Sequence, residues 1–184
     1  MKDKKEIPVL YMYIFQFIAE KVGKFDQEVN SRILLEVWHR HIYHIPRVYD
    51  YYFLKEMEGL DFIKKVNSHK YIFRGSRTEE IIEKLAVVTN DDSPVQEKDY
   101  PLLYLYIYSR MSESFGKKNI LVTGKQILAI WRKYIPNVSR IYDDRILADM
   151  ARYGLVRMIN TQKFIYYGEK YSSKVKKLSS LNLW

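Results

Sequence analysis

The strongest constraint on this chain is that it resembles itself. Displaced by 93 residues, residues 8–75 fall onto 101–168 without a gap. Pro8 meets Pro101, Leu10-Tyr11 meets Leu103-Tyr104, and Gly23-Lys24 meets Gly116-Lys117. Trp38 meets Trp131, Arg47 meets Arg140, and Tyr49-Asp50 meets Tyr142-Asp143. Leu54, Met57, Asn67, Lys70 and Gly75 meet Leu147, Met150, Asn160, Lys163 and Gly168. One offset held through apolar stripes, turns and loops marks one supersecondary unit used twice. The expected organisation is a domain over 1–75, an acidic helix and linker over 76–100, a second domain over 101–168, and a basic tail over 169–184.

Each unit opens with a proline suited to the first turn of a helix. Leu10, Ile14, Ile18 and Val22 follow at every fourth position, matched by Leu103, Ile107, Met111 and Phe115, which is one helical stripe. Gly23 and Gly116 stand where such a helix ends. A second helix begins near Asn30 or Ser31 in the first unit. In the second, Thr123-Gly-Lys-Gln126 has the form of a capping box. Ile120-Leu-Val122 before it reads as a short strand, with no equally clear strand in the first unit. A turn and a third helix follow, with Phe53, Leu54 and Met57 matched by Ile146, Leu147 and Met150. Two β-prone runs then flank Asn67-Ser-His69 and Asn160-Thr-Gln162, which are tight-turn sequences. The connector begins as a helix at Thr78-Glu-Glu-Ile-Ile-Glu-Lys-Leu85 and loosens at Thr89-Asn-Asp-Asp-Ser-Pro94.

The order helix, optional short strand, helix, turn, helix, hairpin resembles the winged-helix domain, a helix-turn-helix variant with a hairpin "wing". The resemblance spans both repeats. It rests on element order and on the passage from helix three into the hairpin, Leu54-x-x-Met57…Phe62-Ile-Lys-Lys65 and Leu147-x-x-Met150…Leu155-Val-Arg157. It implies a mainly α fold with small β-hairpins (α+β): two tandem winged-helix domains related by internal duplication. It also implies DNA binding, with the third helix in the major groove and the wing on the backbone or minor groove.

Charge sharpens that expectation. The net charge of +9 is uneven: +2 over 8–75, −4 over 76–100, +7 over 101–168 and +3 over 169–184. A basic C-terminal half attracts polyanions. In the second unit the candidate contacts are Arg140, Arg145, Ala148 and Arg152 around helix three, and Arg157 and Lys163 on the wing. Lys125, Arg132 and Lys133 on helix two stand to meet phosphates. The first unit offers Arg47, Lys55, Lys64, Lys65 and Lys70. Among the outward residues of helix three, Asp144 and Asp149, and Glu56 beside Lys55, oppose phosphate. Those acids and the surplus aromatics of helix one favour a rival reading, a protein-interaction scaffold, with the nearly balanced first domain as the one facing a protein partner. Tandem winged helices also resemble subunits of membrane-remodelling and chromosome-condensation complexes. An RNA- or ribosome-associated factor draws on the same charge.

Helix one is apolar nearly all round, which one buried stripe does not require. Tyr11, Tyr13 and Phe17, with Tyr104, Tyr106 and Tyr108, are therefore candidate interface residues, against the other repeat or a second subunit. His39, His41 and His44 form a His-x-His-x-x-His cluster. Positions 39 and 41 point to different sides of a helix, so a polar turn or phosphate contact is expected rather than a metal site. There are no cysteines, hence no disulfide or thiolate metal site. Thr123-Gly-Lys-Gln126 is not a P-loop, because Asn119 stands at the first glycine position and Gln126 replaces Ser or Thr. No other catalytic motif is present, so neither an enzyme nor a cofactor is expected. Met1 to Glu6 are charged without an apolar signal core, which leads to an expectation of a cytoplasmic or nucleoid-associated protein without a membrane span.

Overall fold

The computed structural model describes residues 7–86 and 100–175. The linker Thr89–Pro94, the tail beyond Val175 and Trp184 lie outside the described residues. The chain divides into two compact units, Met1–Val88 and Thr89–Trp184. Each is a mixture of helices and one three-stranded antiparallel sheet. No described helix is long and apolar enough to cross a membrane.

Unit 1 runs α1 (Val9–Val22), β1 (Asp26–Asn30), α2 (Ser31–His41), a 3₁₀ turn, α3 (Asp50–Gly59), β2 (Ile63–Lys65), β3 (Lys70–Arg74), a second 3₁₀ turn and α4 (Thr78–Ala86). Unit 2 repeats the order as α5 (Leu102–Phe115), β4 (Asn119–Thr123), α6 (Gly124–Tyr134), α7 (Asp143–Arg152), β5 (Val156–Met158), β6 (Lys163–Tyr167) and α8 (Tyr171–Lys174). Corresponding elements start 93 residues apart throughout. The sheet orders are β1-β3-β2 and β4-β6-β5.

The apolar first helices are explained inside their own units. Val9 to Phe15 are all buried in α1, and Leu102 to Tyr108 in α5. α1 packs on both α2 and α4, and α5 on α6 and α8. The helix opening the connector is therefore part of the packing around α1. Phe15 meets Phe62 and Phe73 at centroid distances of 4.7 and 4.9 Å. Tyr11 stands edge-on to Trp38 at 5.6 Å, and Tyr104 to Trp131 at 5.3 Å. Such pairs add ~0.5–1.5 kcal/mol beyond area burial.

Local signals set the element boundaries. Gly23 and Gly116 end the first helices at φ 109° and 81°, conformations that a side chain disfavours. The Asn30 side chain caps α2, accepting from Arg32 N at 2.8 Å. Thr123 and Gln126 form the reciprocal capping box at α6. Gly75 and Gly168 permit a close backbone approach: a Cβ at either would overlap backbone of Phe25 or Lys118. β1 is the element the sequence hides. Its residues are Asp-Gln-Glu-Val-Asn, and only Val29 is buried. The strand is held by its pairing with β3, from Asp26 opposite Arg74 to Asn30 opposite Lys70.

Candidate nucleic-acid interface

The third helix of unit 2 is aimed by two anchors. Ile146, Leu147 and Met150 bury one side of α7. At its start, Asp143 accepts an ion-paired hydrogen bond from Arg132 at the end of α6. The equivalent anchor in unit 1 is His39 Nε2 to Asp50 Oδ1 at 2.7 Å. Arg132 therefore serves the α6–α7 corner, which a phosphate contact would have to compete with.

With α7 so oriented, Ile141, Asp144 and Ala148 are exposed, and Arg145 and Arg152 are half-buried. Arg140 is exposed in the 3₁₀ turn that leads into α7. The acid at position 149 has a different role from the one its helical position suggests. Tyr104 donates to Asp149 Oδ2 at 2.5 Å, and Tyr11 donates to Glu56 Oε2 at 2.9 Å. Asp149 and Glu56 thus receive the polar tips of core tyrosines. The remaining acid of the exposed α7 face, Asp144, does oppose phosphate.

The hairpins of the two units are built alike. Asn160 Oδ1 accepts from the backbone N–H groups of Gln162 and Lys163, both at 2.8 Å. Asn67 does the same for His69 and Lys70 at 2.8 and 2.9 Å. Arg157 and Lys163 are exposed on the unit 2 hairpin, as are Lys64, Lys65 and Lys70 on the unit 1 hairpin. Their surroundings differ. Lys70 pairs with Glu28 at 3.3 Å, whereas the position equivalent to Glu28 in unit 2 is Leu121. On α6, Lys125 and Lys133 are exposed, with the Lys133 ammonium 5.6 Å from the Tyr134 ring centroid. In unit 1, Arg47 is exposed and the Lys55 ammonium lies 4.8 Å from the Tyr51 centroid.

No family model, curated protein or solved structure matches the chain.

The six aromatic residues singled out on the first helices all have partners in their own units. Tyr108 donates to Tyr167 O, and burial pushes its phenol pKa up. Tyr13 stands edge-on to Phe17 at 4.6 Å, and Phe17 stacks on His41 at 3.6 Å. Tyr106 lies 6.1 Å from Tyr134, with the Arg110 guanidinium 5.3 Å from each ring. A second subunit is not needed to account for these side chains. The three clustered histidines separate: His39 reaches Asp50, His41 stacks on Phe17, and His44 is exposed at φ 62°. Burial, then the Arg40 charge, lowers the His41 pKa. Among the described residues, no group of three or more His, Cys, Asp or Glu is placed to hold a metal ion.

Proposed function

We propose that this chain is a non-enzymatic nucleic-acid-binding protein that grips duplex DNA chiefly through unit 2. In this reading each unit is a winged-helix domain, the pair arose by duplication, and the protein is a transcriptional regulator or a replication or chromatin accessory factor. The order helix, strand, helix, helix, hairpin, with the first strand beside the last, supports the domain assignment. The observation that carries the function is the exposed set of cations in unit 2. Lys125, Lys133, Arg140, Arg157 and Lys163 all reach solvent on a unit of net charge +7. Lys163 also lacks the acidic neighbour that Glu28 supplies to Lys70. Phosphate contacts from these residues would position the protein, while Arg145 and Arg152 stand nearest to a role in base reading.

A salt titration of duplex binding tests the proposal. Affinity should fall steeply and linearly on a log–log scale as salt rises. Absent affinity, or affinity flat between low and moderate salt, would sink it. Tighter binding to structured RNA than to duplex DNA at equal salt would move the assignment to RNA. The protein-scaffold reading keeps one specific support, exposed Asp144 beside Ile141, which is 77% exposed. Retention of a stoichiometric protein partner without retention of duplex would select it.

A further inference from the structure

The solvent-facing sides of the two sheets carry opposite designs. In unit 1 the outward rows are Asp26 with Arg74, then Glu28, Ile72 and Lys64, then Asn30 and Lys70. Asp26–Arg74 and Glu28–Lys70 are ion pairs at 3.9 and 3.3 Å. In unit 2 the same rows are Asn119 with Tyr167, then Leu121, Ile165 and Arg157, then Thr123 and Lys163. These rows contain no acid. Glu169 approaches only their end, where its Oε2 is 3.4 Å from Asn119 Nδ2. Leu121 is 61% exposed at the centre.

The same strand is also an open edge. Among the described residues, β4 pairs with β6 on one side only. Gly124 N–H donates to Gln162 O at 2.9 Å, which makes Thr123–Lys163 a non-hydrogen-bonded pair. By alternation, the N–H and C=O groups of Asn119 and Leu121 turn away from β6 toward that edge. Thr123 N–H also turns outward, but it is taken by Gln126 Oε1 at 2.8 Å. Native sheets guard open edges with charge, as Asp26 and Glu28 do on β1, and an apolar edge invites another strand. The edge of β4 carries Asn-Ile-Leu-Val-Thr and no charge.

We propose that β4 and the outward face of the unit 2 sheet bind an extended acidic segment of a partner protein, which adds to β4 as a fourth strand. Main-chain hydrogen bonds to Asn119 and Leu121 would supply register, and side chains of alternate residues would supply specificity. The segment places an apolar side chain beside Leu121 and Ile165, and acids toward Lys163, Arg157 and the flanking Lys117, Lys118 and Lys125. The charges select the occupant. A second copy pairing antiparallel about Leu121 would set Lys117 beside its partner's Lys125, which is repulsive. An acidic segment meets cations at both ends.

The probe is a fluorescein-labelled peptide of alternating valine and threonine with glutamates at both ends, titrated into the full chain. Binding should saturate at one peptide per chain, weaken with salt, and protect the Leu121 amide from hydrogen exchange in the unaltered protein. Leu121→Glu, which copies the unit 1 residue at an exposed position, should weaken peptide binding ~10-fold or more and also lower duplex affinity by giving Lys163 an acidic neighbour, whereas the neutral Leu121→Ser should weaken peptide binding with duplex affinity retained. The double variant Asp26→Asn, Glu28→Leu should add a second peptide site. Equal binding of a lysine-flanked peptide, an unprotected Leu121 amide under saturating peptide, indifference to Leu121→Glu, or self-association through β4 would overturn the proposal.

Discussion

At corresponding positions, Asp26, Glu28 and Glu80 of unit 1 are replaced in unit 2 by Asn119, Leu121 and Ser173, while the buried tryptophans are the same. The framework hydrogen bonds survive these changes. Asp26 Oδ1 accepts from Ser76 N at 3.0 Å, and Asn119 Oδ1 accepts from Glu169 N at 3.1 Å. Arg77 Nη1 donates to Leu60 O at 2.8 Å, and Lys174 Nζ, from a different position, donates to Tyr153 O at 3.1 Å. At these positions the carboxylates of unit 1 give way to neutral side chains in unit 2, which keeps ion pairs elsewhere, Arg110–Glu113 and Arg132–Asp143. On the sheet face the difference leaves Lys163 without the acid that Glu28 supplies to Lys70.

The largest expected effect tests what the units share. Trp38→Ala and Trp131→Ala should each cost ~3–5 kcal/mol, because both rings are fully buried and leave similar cavities. Chemical denaturation monitored by circular dichroism measures it. Trp→Phe at either site should cost clearly less, since both indole N–H groups are buried without an acceptor. A large cost at one site and almost none at the other would break the equivalence of the cores.

Next in size is the effect on DNA affinity, where the units should differ. Lys125→Ala, Arg157→Ala and Lys163→Ala together should lower duplex affinity ~10-fold or more and reduce the salt slope by ~3. Lys64→Ala, Lys65→Ala and Lys70→Ala should do much less, because Lys70 already has Glu28. Fluorescence anisotropy across a salt series checks both. Equal losses would mean that the hairpin whose Lys70 pairs with Glu28 contributes as much as the unit 2 hairpin.

The α2–α3 and α6–α7 corners offer a smaller test. His39→Arg writes the unit 2 residue into unit 1, opposite Asp50. It should raise the unfolding temperature modestly, with a gain below ~1 kcal/mol for a partly exposed pair. Arg132→His should lower it by a similar amount. A strong loss from His39→Arg would show that the two corners are not built to the same geometry.

How far the sequence reached follows from which forces it records. Helix one, the capping box and the Asn-led hairpins were legible because apolar period and turn chemistry are local. β1 was not, because an edge strand that buries only Val29 has no alternation to show. Its identity lies in pairing with β3, some forty residues away in the register of Glu28 with Ile72. The candidate site was legible as a set of cations but not as a set of bonds. Arg132 is committed to Asp143, and Asp149 and Glu56 receive Tyr104 and Tyr11, pairings that only the packed units define. The surplus aromatics of helix one suggest an interface only while α4 and α8 count as connector and tail, and both helices pack on the first helix of their unit. Those helices supply the missing walls.

The smallest effect is on acid stability, and its sign follows from two carboxylates in unit 1. Hydrogen bonds from the Ser76 side chain and backbone hold the Asp26 pKa below its usual value. The Arg77 hydrogen bond holds Glu80 down to about 2. A depressed folded-state pKa contributes stability that is present above the unfolded value and is lost as pH falls through the folded one. Unit 1 should therefore loosen where α4 meets the hairpin as pH falls from the ordinary carboxylate range toward 2. Both groups are largely exposed, so solvent screening keeps the effect small. In unit 2, Asn119 and Ser173 do not titrate, and the equivalent contacts should persist over that range. Residue-resolved amide exchange between neutral and acid pH reads both units in one sample. The double variant Asp26→Asn, Glu80→Ser copies the unit 2 residues and should flatten the acid response of unit 1. Matching loss in α8 and α4 at the same pH would show that the acid response has another source, and that ion pairing is not what separates the two halves.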